Sequence, residues 1–206
     1  MTRIAGLARQ PRTDMTAADL VDLVDCLEGR GIDLWVDGGW GVDALLGEQR
    51  RPHDDLDVVV PLDQVPRLEE ALRERGYLRV GGSPPASFEM TDDEGRQVDV
   101  HPVVFDERGD GVYQLREGGT WPYPAAGFAG AGSVLGRRVR CLTPEVQMLC
   151  HTGYPPHRTS FDDVTALARR FGLPVPDAYR RSRELYPLRT ASGLEPGADP
   201  AQPASR

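Results

Sequence analysis

Apolar residues recur at helical spacing near the start of the chain, at Leu20, Val21, Leu23, Val24 and Leu27. This spacing is typical of an amphipathic helix that buries one face. Thr16 followed three residues later by Asp19 is an N-terminal capping signature, and Gly29 is a common helix-ending residue. The pattern therefore predicts a helix that begins near Thr16.

After this helix the pattern changes to short apolar runs separated by glycines. Residues 32–36 are predicted to form a strand, and residues 40–46 a short helix closed by Gly47. Gly38 and Gly39 lie between them, where glycines let backbone N–H groups approach a phosphate at a helix N-terminus. A Gly-Gly pair also fits a tight turn without a ligand, so the pair alone does not establish a phosphate loop.

Two carboxylates open the next predicted strand. Alternation sends residues i and i+2 to the same face, so Asp55 and Asp57 project together, away from the apolar Leu56, Val58 and Val60. Same-face positions lie roughly 6.6 Å apart along a strand. Two leaning carboxylates can therefore converge on hard cations about 3.5–4 Å apart, the spacing of a two-metal site. The pair predicts a site that handles phosphates.

A basic turn at residues 49–54 precedes the acidic pair. Arg50, Arg51 and His53 can neutralise phosphate oxygens, although such a cluster is also typical of a solvated turn. Asp54 breaks the alternation and is predicted to face away. The His-Asp dipeptide also occurs in HD-type metal phosphohydrolases, but there it lies on a helix with further histidines, whereas here it precedes a β-branched run.

Helical spacing returns between Val65 and Leu72, and the helix is predicted to end by Gly76. A strand is predicted at residues 77–80. Two more, at residues 87–91 and 97–105, flank a turn rich in Asp and Gly. These strands form the second half of the predicted sheet.

The strand at residues 97–105 contains a third carboxylate. Alternation along this strand places Val98 and Val100 on one face and Gln97, Asp99 and His101 on the other. An acid in a central strand is costly to bury unless it is paired or metal-bound, so Asp99 is predicted to join Asp55 and Asp57. Without that pair, Asp99 would be interpreted as an ordinary edge-strand acid. His101 is predicted to be a hydrogen-bonded structural histidine, because magnesium prefers oxygen ligands.

Residues 108–140 are glycine-rich and predicted to be irregular, apart from a hairpin at residues 132–141. Trp121, Tyr123 and Phe128 fit two roles in this long segment. They either line an acceptor cleft or anchor the loop to the core.

Two helices are predicted in the last third of the chain. One begins at Thr143-Pro144 and ends near Gly153. The other opens with Ser160 as a cap and ends at Gly172. Asp162 and Asp163 would then lie in its first turn and interact with the helix dipole.

The composition of the chain limits the classes of molecule that it is expected to bind. The chain has 206 residues and a formal net charge of −8, which disfavours general affinity for a nucleic acid backbone and suits a small cationic substrate. All 24 basic residues are arginine, so any phosphate clamp must be guanidinium, imidazole or backbone N–H. Three cysteines without a CxxC pair predict reduced thiols in a cytoplasm, and the sequence predicts neither export nor membrane insertion.

These motifs together resemble a known family. Gly38-Gly39-Trp40, then Asp55-x-Asp57 on a strand, then Asp99 between valines, is similar to the DNA polymerase β-type nucleotidyltransferases. The runs GGWGVDALLGEQRRPHDDLD and DEGRQVDVHPVVF resemble, more narrowly, the aminoglycoside 2''-O-nucleotidyltransferase and lincosamide nucleotidyltransferase group. The superfamily often has Gly-Ser where this chain has Gly38-Gly39, and a shorter interval before the acidic pair. The antibiotic-modifying branch shares the Gly-Gly and the longer interval of this chain. Lysines that contact the triphosphate in some relatives have no counterpart.

The resemblance implies an α+β fold, a polymerase β-like core with a mixed sheet flanked by helices and a small C-terminal helical part. It implies magnesium held by Asp55 and Asp57, with Asp99 as general base, metal ligand or both. The residues assigned to the nucleotide are Gly38, Gly39, Arg51 and His53, with weaker signals at His151 and Tyr154.

The reaction implied is magnesium-dependent transfer of AMP from ATP to a hydroxyl of an aminoglycoside or lincosamide, with release of pyrophosphate. Two other functions fit the fold: a toxin-like enzyme that modifies RNA, which the absence of a basic stripe opposes, and a domain that binds nucleotide without turnover. The presence of all three acids, Asp55, Asp57 and Asp99, opposes the domain that only binds nucleotide. The predicted organisation is a core at residues 14–140, a helical part at 141–182, and flexible tails at 1–13 and 188–206.

Overall fold

The computed structural model describes residues 14–181, so the tails predicted at 1–13 and 188–206 lie outside this range. The helices are α1 (Ala17–Gly29), α2 (Gly38–Leu46), α3 (Val65–Glu74), α4 (Pro144–Cys150), α5 (Arg158–Phe171) and α6 (Asp177–Arg181). The strands are β1 (Trp35–Val36), β2 (Asp55–Pro61), β3 (Leu78–Gly82), β4 (Phe88–Thr91), β5 (Gln97–Phe105), β6 (Gly111–Gln114), β7 (Thr120–Tyr123), β8 (Ala131–Val134) and β9 (Arg137–Arg140).

Seven strands form one mixed sheet, and five of them lie side by side in the order β1-β2-β5-β4-β3. The central strands β2 and β5 are parallel, and β5 pairs antiparallel with β4. The last three residues of the long β5 pair with β6, which in turn pairs with β7. Strands β8 and β9 form a separate hairpin, as the sequence predicts. The mixed sheet with flanking helices confirms the predicted fold class.

One face of the central strands is buried in the main hydrophobic core. Leu56, Val58 and Val60 of β2 are fully buried there with apolar residues of β5, α1 and α3. Burying one large aliphatic side chain contributes roughly 1.5–3 kcal/mol. Trp40 is only 1% exposed and belongs to the same core. Because residues alternate along each strand, the acids at positions 55, 57 and 99 lie on the other face.

The start of α1 is as the sequence predicts. Thr16 and Asp19 form a reciprocal capping box in which the side chain of each receives the backbone N–H of the other. Helix α4 also begins at Pro144 as predicted, but it ends at Cys150, before Gly153. No helix within residues 14–181 is long and apolar enough to cross a membrane.

Three local predictions were wrong. Strand β1 has two residues instead of the predicted five, and α2 begins at Gly38 because Asp37 is its N-cap. Two strands, β6 and β7, lie in the segment predicted to be irregular. They are only four residues long, and Pro122 interrupts the alternating pattern of β7, which is tolerated because β7 is at the edge of the sheet.

The last long helix also begins earlier than predicted. Its N-cap is His157, whose ring accepts the Ser160 N–H at 3.3 Å, while the His157 N–H donates to the Ser160 hydroxyl at 2.9 Å. Histidine is not among the common N-cap residues, so the sequence pointed to Ser160 instead. Asp162 and Asp163 consequently lie in the second turn of α5, beyond the reach of the dipole at its first turn.

Candidate active site

The register of three neighbouring strands brings acidic side chains to one face of the sheet. Asp57 of β2 pairs with Asp99 of β5, and Asp99 pairs with Glu89 of β4. Neighbouring strands lie about 4.7–4.9 Å apart, and directly paired residues share a face. Asp55 pairs with Gln97 one step along the same face. The structure therefore brings together the three acids that the sequence predicted, and adds Glu89.

Asp57 is held from several sides. Its backbone carbonyl accepts the Asp37 N–H at 2.9 Å, and its carboxylate accepts a hydrogen bond from His101 Nε2 at 3.1 Å. The other carboxylate oxygen packs against Gly38, where an added Cβ would lie 2.0 Å away. Gly38 also has a φ of +58°, which side chains disfavour. Gly38 is thus required for the close approach of Asp57.

The amide of Gly38 is already used inside the protein. Its N–H donates to the carboxylate of Asp37 at 2.7 Å, so Asp37 caps α2. The predicted contact of this amide with a phosphate needs revision, and Gly39 remains the candidate amide at the helix N-terminus. Asp37 was missed in the sequence because the helix was predicted to begin at Trp40, whereas it begins at Gly38, directly after this common N-cap residue.

Asp37 is 6% exposed and lies close to the acidic face. Burial raises the pKa of its carboxyl group. The charge of His101 opposes this shift, whereas the charge of Asp57 adds to it. The pKa of Asp37 therefore lies above its ordinary value.

Asp99 has the electrostatic environment of a proton acceptor. Burial raises its pKa, the charge of Asp57 raises it further, and a hydrogen bond from Gln97 at 2.5 Å lowers it, so that the pKa is about 6. A general base works best when its pKa lies near the operating pH.

His101 is a hydrogen-bonded histidine, as the sequence predicted. Burial by itself lowers its pKa, but the hydrogen bond and the charge of Asp57 outweigh burial and raise the pKa to about 10. The ring also makes an edge contact with Tyr113, with 5.6 Å between the ring centroids. At neutral pH His101 is therefore an imidazolium that orients Asp57.

The basic turn packs against the start of α2. A Cβ on Gly39 would lie 2.5 Å from Arg51 Nη2 and 2.5 Å from His53 Nδ1, so this second glycine is also needed for close packing. Arg51 keeps 31% of its side chain exposed beside the helix N-terminus. A contact of Arg51 with the nucleotide remains a prediction that this position allows.

His53 has a different role from the predicted one. Its side chain is 2% exposed, Nε2 is 2.6 Å from Asp43 Oδ2, and the ring centroid lies 4.4 Å from that of Trp40. A buried and paired ring cannot reach a phosphate. His53 instead packs against α2 through its contacts with Asp43 and Trp40. His53 and Asp54 also lie in a turn before β2, not on a helix, unlike the HD-type pair.

A family model described as aminoglycoside-2''-adenylyltransferase matches residues 19–167. This chain belongs to that family. A lincosamide resistance protein of Staphylococcus haemolyticus is 29% identical over 75% of this chain and 95% of its own length. A 2''-aminoglycoside nucleotidyltransferase of Klebsiella pneumoniae is 30% identical over 62% of this chain and 68% of its own length.

Solved structures agree with the family assignment. The lincomycin-bound lincosamide antibiotic adenylyltransferase LnuA superposes with a TM-score of 0.67 at 28% identity, covering 75% of this chain and 98% of that one. ANT(2'')-Ia in complex with adenylyl-2''-tobramycin shares the fold, with a TM-score of 0.63 at 21% identity over 82% of this chain and 97% of that one. The family member described here is a nucleotidyltransferase with the polymerase β-like fold.

The acidic face suits a divalent cation that binds together with a phosphate substrate. Within residues 14–181, no three His, Cys, Asp or Glu side chains are arranged as a ready-made ligand set. Magnesium sites in phosphoryl-transfer enzymes usually use one or two carboxylates, and water and substrate phosphates complete the shell. Asp55, Asp57 and Asp99 on one face fit that kind of site.

A buried ionic network ties the C-terminal helices of this nucleotidyltransferase to the basic turn. Asp163 of α5 is 2% exposed and binds Arg50 and, at 3.2 Å, Arg51. The Arg50 Nε also donates to Asp43 at 3.0 Å. The interpretation of Asp163 as a helix-dipole residue was therefore wrong, whereas its neighbour Asp162 binds Arg158 on the helix surface at 3.2 Å.

The electrostatics of Asp163 favour its charged form. Burial would raise its pKa, but His151, 3.8 Å away, and the charges of Arg51 and Arg50 hold the pKa below the ordinary value. No local sequence pattern signals this role, because Asp163 lies 112 positions from Arg51.

The weaker sequence candidates have packing roles in the structure. His151 is buried, and its Nδ1 donates to the Gln147 carbonyl at 2.8 Å. Tyr154 is 42% exposed and stacks on His157. Tyr123 and Phe128 anchor their segment to a second core cluster that contains Trp35, with Trp121 packed against it.

Proposed function

We propose that this nucleotidyltransferase transfers AMP from ATP to a hydroxyl of a small antibiotic of the lincosamide or aminoglycoside class and releases pyrophosphate. The observation that supports it most is the direct pairing of Asp57 with Asp99 beside the N-terminus of α2. The choice of acceptor is supported by the names of two relatives, a lincosamide resistance protein and a 2''-aminoglycoside nucleotidyltransferase.

Each residue of the site has a proposed part. The N-terminus of α2, at Gly39, and the guanidinium of Arg51 would bind triphosphate oxygens. Asp55 and Asp57 would hold magnesium, which when bound supplies positive charge to the triphosphate and to the pyrophosphate leaving group. His101 would keep Asp57 in the orientation that this binding needs.

Asp99 is proposed to act as the general base. With a pKa of about 6 it is mostly deprotonated at neutral pH, yet it takes up a proton more readily than a surface aspartate. The acceptor hydroxyl would give its proton to Asp99 as its oxygen attacks the α-phosphorus of ATP. The bond from that phosphorus to the bridging oxygen of pyrophosphate would break, and the oxygen would leave with the electron pair.

The proposed location is the cytoplasm, where ATP and magnesium are supplied. Cys26, Cys141 and Cys150 are all free thiols, which agrees with a reducing compartment.

The test is incubation of the purified protein with ATP, magnesium and either lincomycin or tobramycin. The expected result is pyrophosphate release together with a drug whose mass has increased by one AMP unit. Transfer of AMP to RNA added to the same mixture would support the RNA-modifying alternative. ATP binding without pyrophosphate release in any mixture would support the non-catalytic alternative.

A further inference from the structure

The first turn of α2 contains three glycines, and two of them make room for the acidic face and for the basic turn. The third is Gly41. A Cβ at this position would lie 2.1 Å from Nε2 of Gln147 on α4 and 2.8 Å from the carbonyl oxygen of Val36. Gln147 is 0% exposed, so its amide is buried against this turn. Helix α4 therefore supports the first turn of α2 from a third side.

The same amide contacts the backbone on both sides of the helix cap. Gln147 Nε2 donates to the Val36 carbonyl in a long hydrogen bond of 3.5 Å. Val36 is followed by the cap residue Asp37, whose carbonyl accepts the Gly41 N–H at 2.9 Å and whose own N–H donates to the Asp57 carbonyl at 2.9 Å. Gln147 thus packs against the short segment that joins β1 to α2 and that also contacts the metal-binding acid.

Packing and stability alone do not explain a glutamine at this position. Its Oε1 is buried and accepts no hydrogen bond from any residue in the range 14–181. A buried acceptor without a partner costs folding free energy, and such groups are rare in folded proteins. A methionine would fill a similar volume without that cost. Because the amide lies against the catalytic end of α2, its role is to be sought in the reaction.

Gln147 is itself held by the C-terminal helices. His151 Nδ1 donates to the Gln147 carbonyl at 2.8 Å, and the other ring nitrogen of His151 lies 3.8 Å from the carboxylate of Asp163. Asp163 binds Arg51 at 3.2 Å, and the Arg51 guanidinium packs against the first turn of α2. These contacts form a closed circuit that leaves α2, passes through α4 and α5, and returns to the same turn.

We propose that Gln147 is a positioning residue that fixes the first turn of α2 in the orientation that the triphosphate needs. This inference rests on the proposed function, in which the Gly39 amide binds triphosphate oxygens. Hydrogen bonds weaken steeply as their angle opens, so a small rotation of this turn weakens the contact. The fully buried Gln147 does not touch the nucleotide itself. Its effect is therefore on the affinity for ATP.

The experiment compares Gln147→Met and Gly41→Ala with the wild type and with Gln64→Met as control. Gln64 also holds backbone through its amide, since its Oε1 accepts the Asp33 N–H at 2.7 Å and its Nε2 donates to the Asp33 carboxylate at 3.2 Å. It lies just beyond the last residue of β2, whereas the acids lie at the start of that strand. ATP binding is measured by calorimetry with magnesium, and KM and kcat by pyrophosphate release. Urea unfolding reports on the fold.

Gln147→Met is expected to raise the dissociation constant and the KM for ATP about tenfold, the order of effect of one hydrogen bond to a charged group. The kcat at saturating ATP and the urea midpoint should change little. Gly41→Ala should raise the same two constants, because its Cβ displaces the same amide. The two changes combined should have less than the product of their separate effects, since both act on one contact. Gln64→Met should leave ATP binding unaltered.

Four results would overturn the inference: wild-type ATP affinity in Gln147→Met, equal weakening in Gln64→Met, a fall in kcat and in the urea midpoint without a change in ATP affinity, or no ATP binding by the wild type. If Gln147→Met does not fold, Gly41→Ala provides the same comparison. If ATP affinity changes as expected but no acceptor is modified, the proposed function fails and the role of Gln147 stands. If an acceptor is modified and Gln147→Met binds ATP like the wild type, the proposed function stands and the inference is wrong.

Discussion

The carboxylate of Asp57 occupies the space that a side chain at Gly38 would need. A Cβ on Gly38 would lie 2.0 Å from one carboxylate oxygen of Asp57, and it would do so at a backbone φ of +58°. The proposed metal-binding acid therefore holds its position only because the first residue of α2 has no side chain. The glycine-rich motif is explained by this packing at least as much as by access to phosphate.

Gly38→Ala is expected to lower kcat about 10²-fold, because a shift of the order of 1 Å in a reacting group costs about that much. It should also destabilise the fold by about 1–2 kcal/mol through the left-handed backbone. Gly76→Ala is the matched control, since Gly76 has a φ of +87° and no atom within 4 Å of its added Cβ. Urea unfolding should show a loss in both variants, whereas kcat should fall only in Gly38→Ala. Equal kcat values in the two would contradict this role of Gly38.

Asp99→Asn is expected to reduce kcat by about 10²–10⁴-fold, the usual value of a positioned general base. KM for ATP should change little if Asp99 acts on the acceptor. Asp93→Asn, which changes an exposed acid in the turn before β5, should leave both constants unaltered. Loss of magnesium-dependent ATP binding in Asp99→Asn would instead assign Asp99 to the metal.

Asp163→Asn is expected to destabilise the protein by about 3–5 kcal/mol, because it removes the buried carboxylate that Arg51 binds and one of the two that Arg50 binds. KM for ATP should rise as Arg51 loses its anchor. Asp162→Asn removes only a surface pair with Arg158 and should change the free energy of unfolding by less than about 1 kcal/mol. Similar unfolding midpoints for the two variants would show that the buried network contributes little.

The Asp163 network should also depend on pH in a defined direction. The pKa of Asp163 in the folded protein lies below its ordinary value of 3.8. A group with a lowered pKa stabilises the fold above its unfolded-state pKa, and this contribution is lost as the pH falls through the folded-state pKa. The difference in urea midpoint between wild type and Asp163→Asn should therefore be constant near neutrality and shrink below about pH 4. A difference that grows on acidification would contradict the shift.

The sequence was informative where structure depends on local pattern. Alternation along two strands was enough to place Asp55, Asp57 and Asp99 on one face, because apolar neighbours fix which side of a strand is buried. Thr16 was identified as a cap because its partner Asp19 is three residues away.

The sequence was uninformative where a residue acts through a distant partner. Asp163 meets Arg51 across 112 positions, and no periodicity records that contact. His53 was assigned to the nucleotide because nothing local shows that Asp43 and Trp40 bury it. Glu89 was overlooked because its place beside Asp99 follows from the pairing of β4 with β5 and not from its own strand.

The most direct test of the site is pyrophosphate release by Asp57→Asn in the presence of ATP, magnesium and the preferred acceptor. Asp54→Asn is the control, because Asp54 is exposed and lies outside the alternating acidic face. The expected result is no detectable turnover in Asp57→Asn, with an unchanged melting curve, and wild-type turnover in Asp54→Asn. Turnover at the wild-type rate in a folded Asp57→Asn protein would contradict the assignment of this acidic face as the catalytic centre.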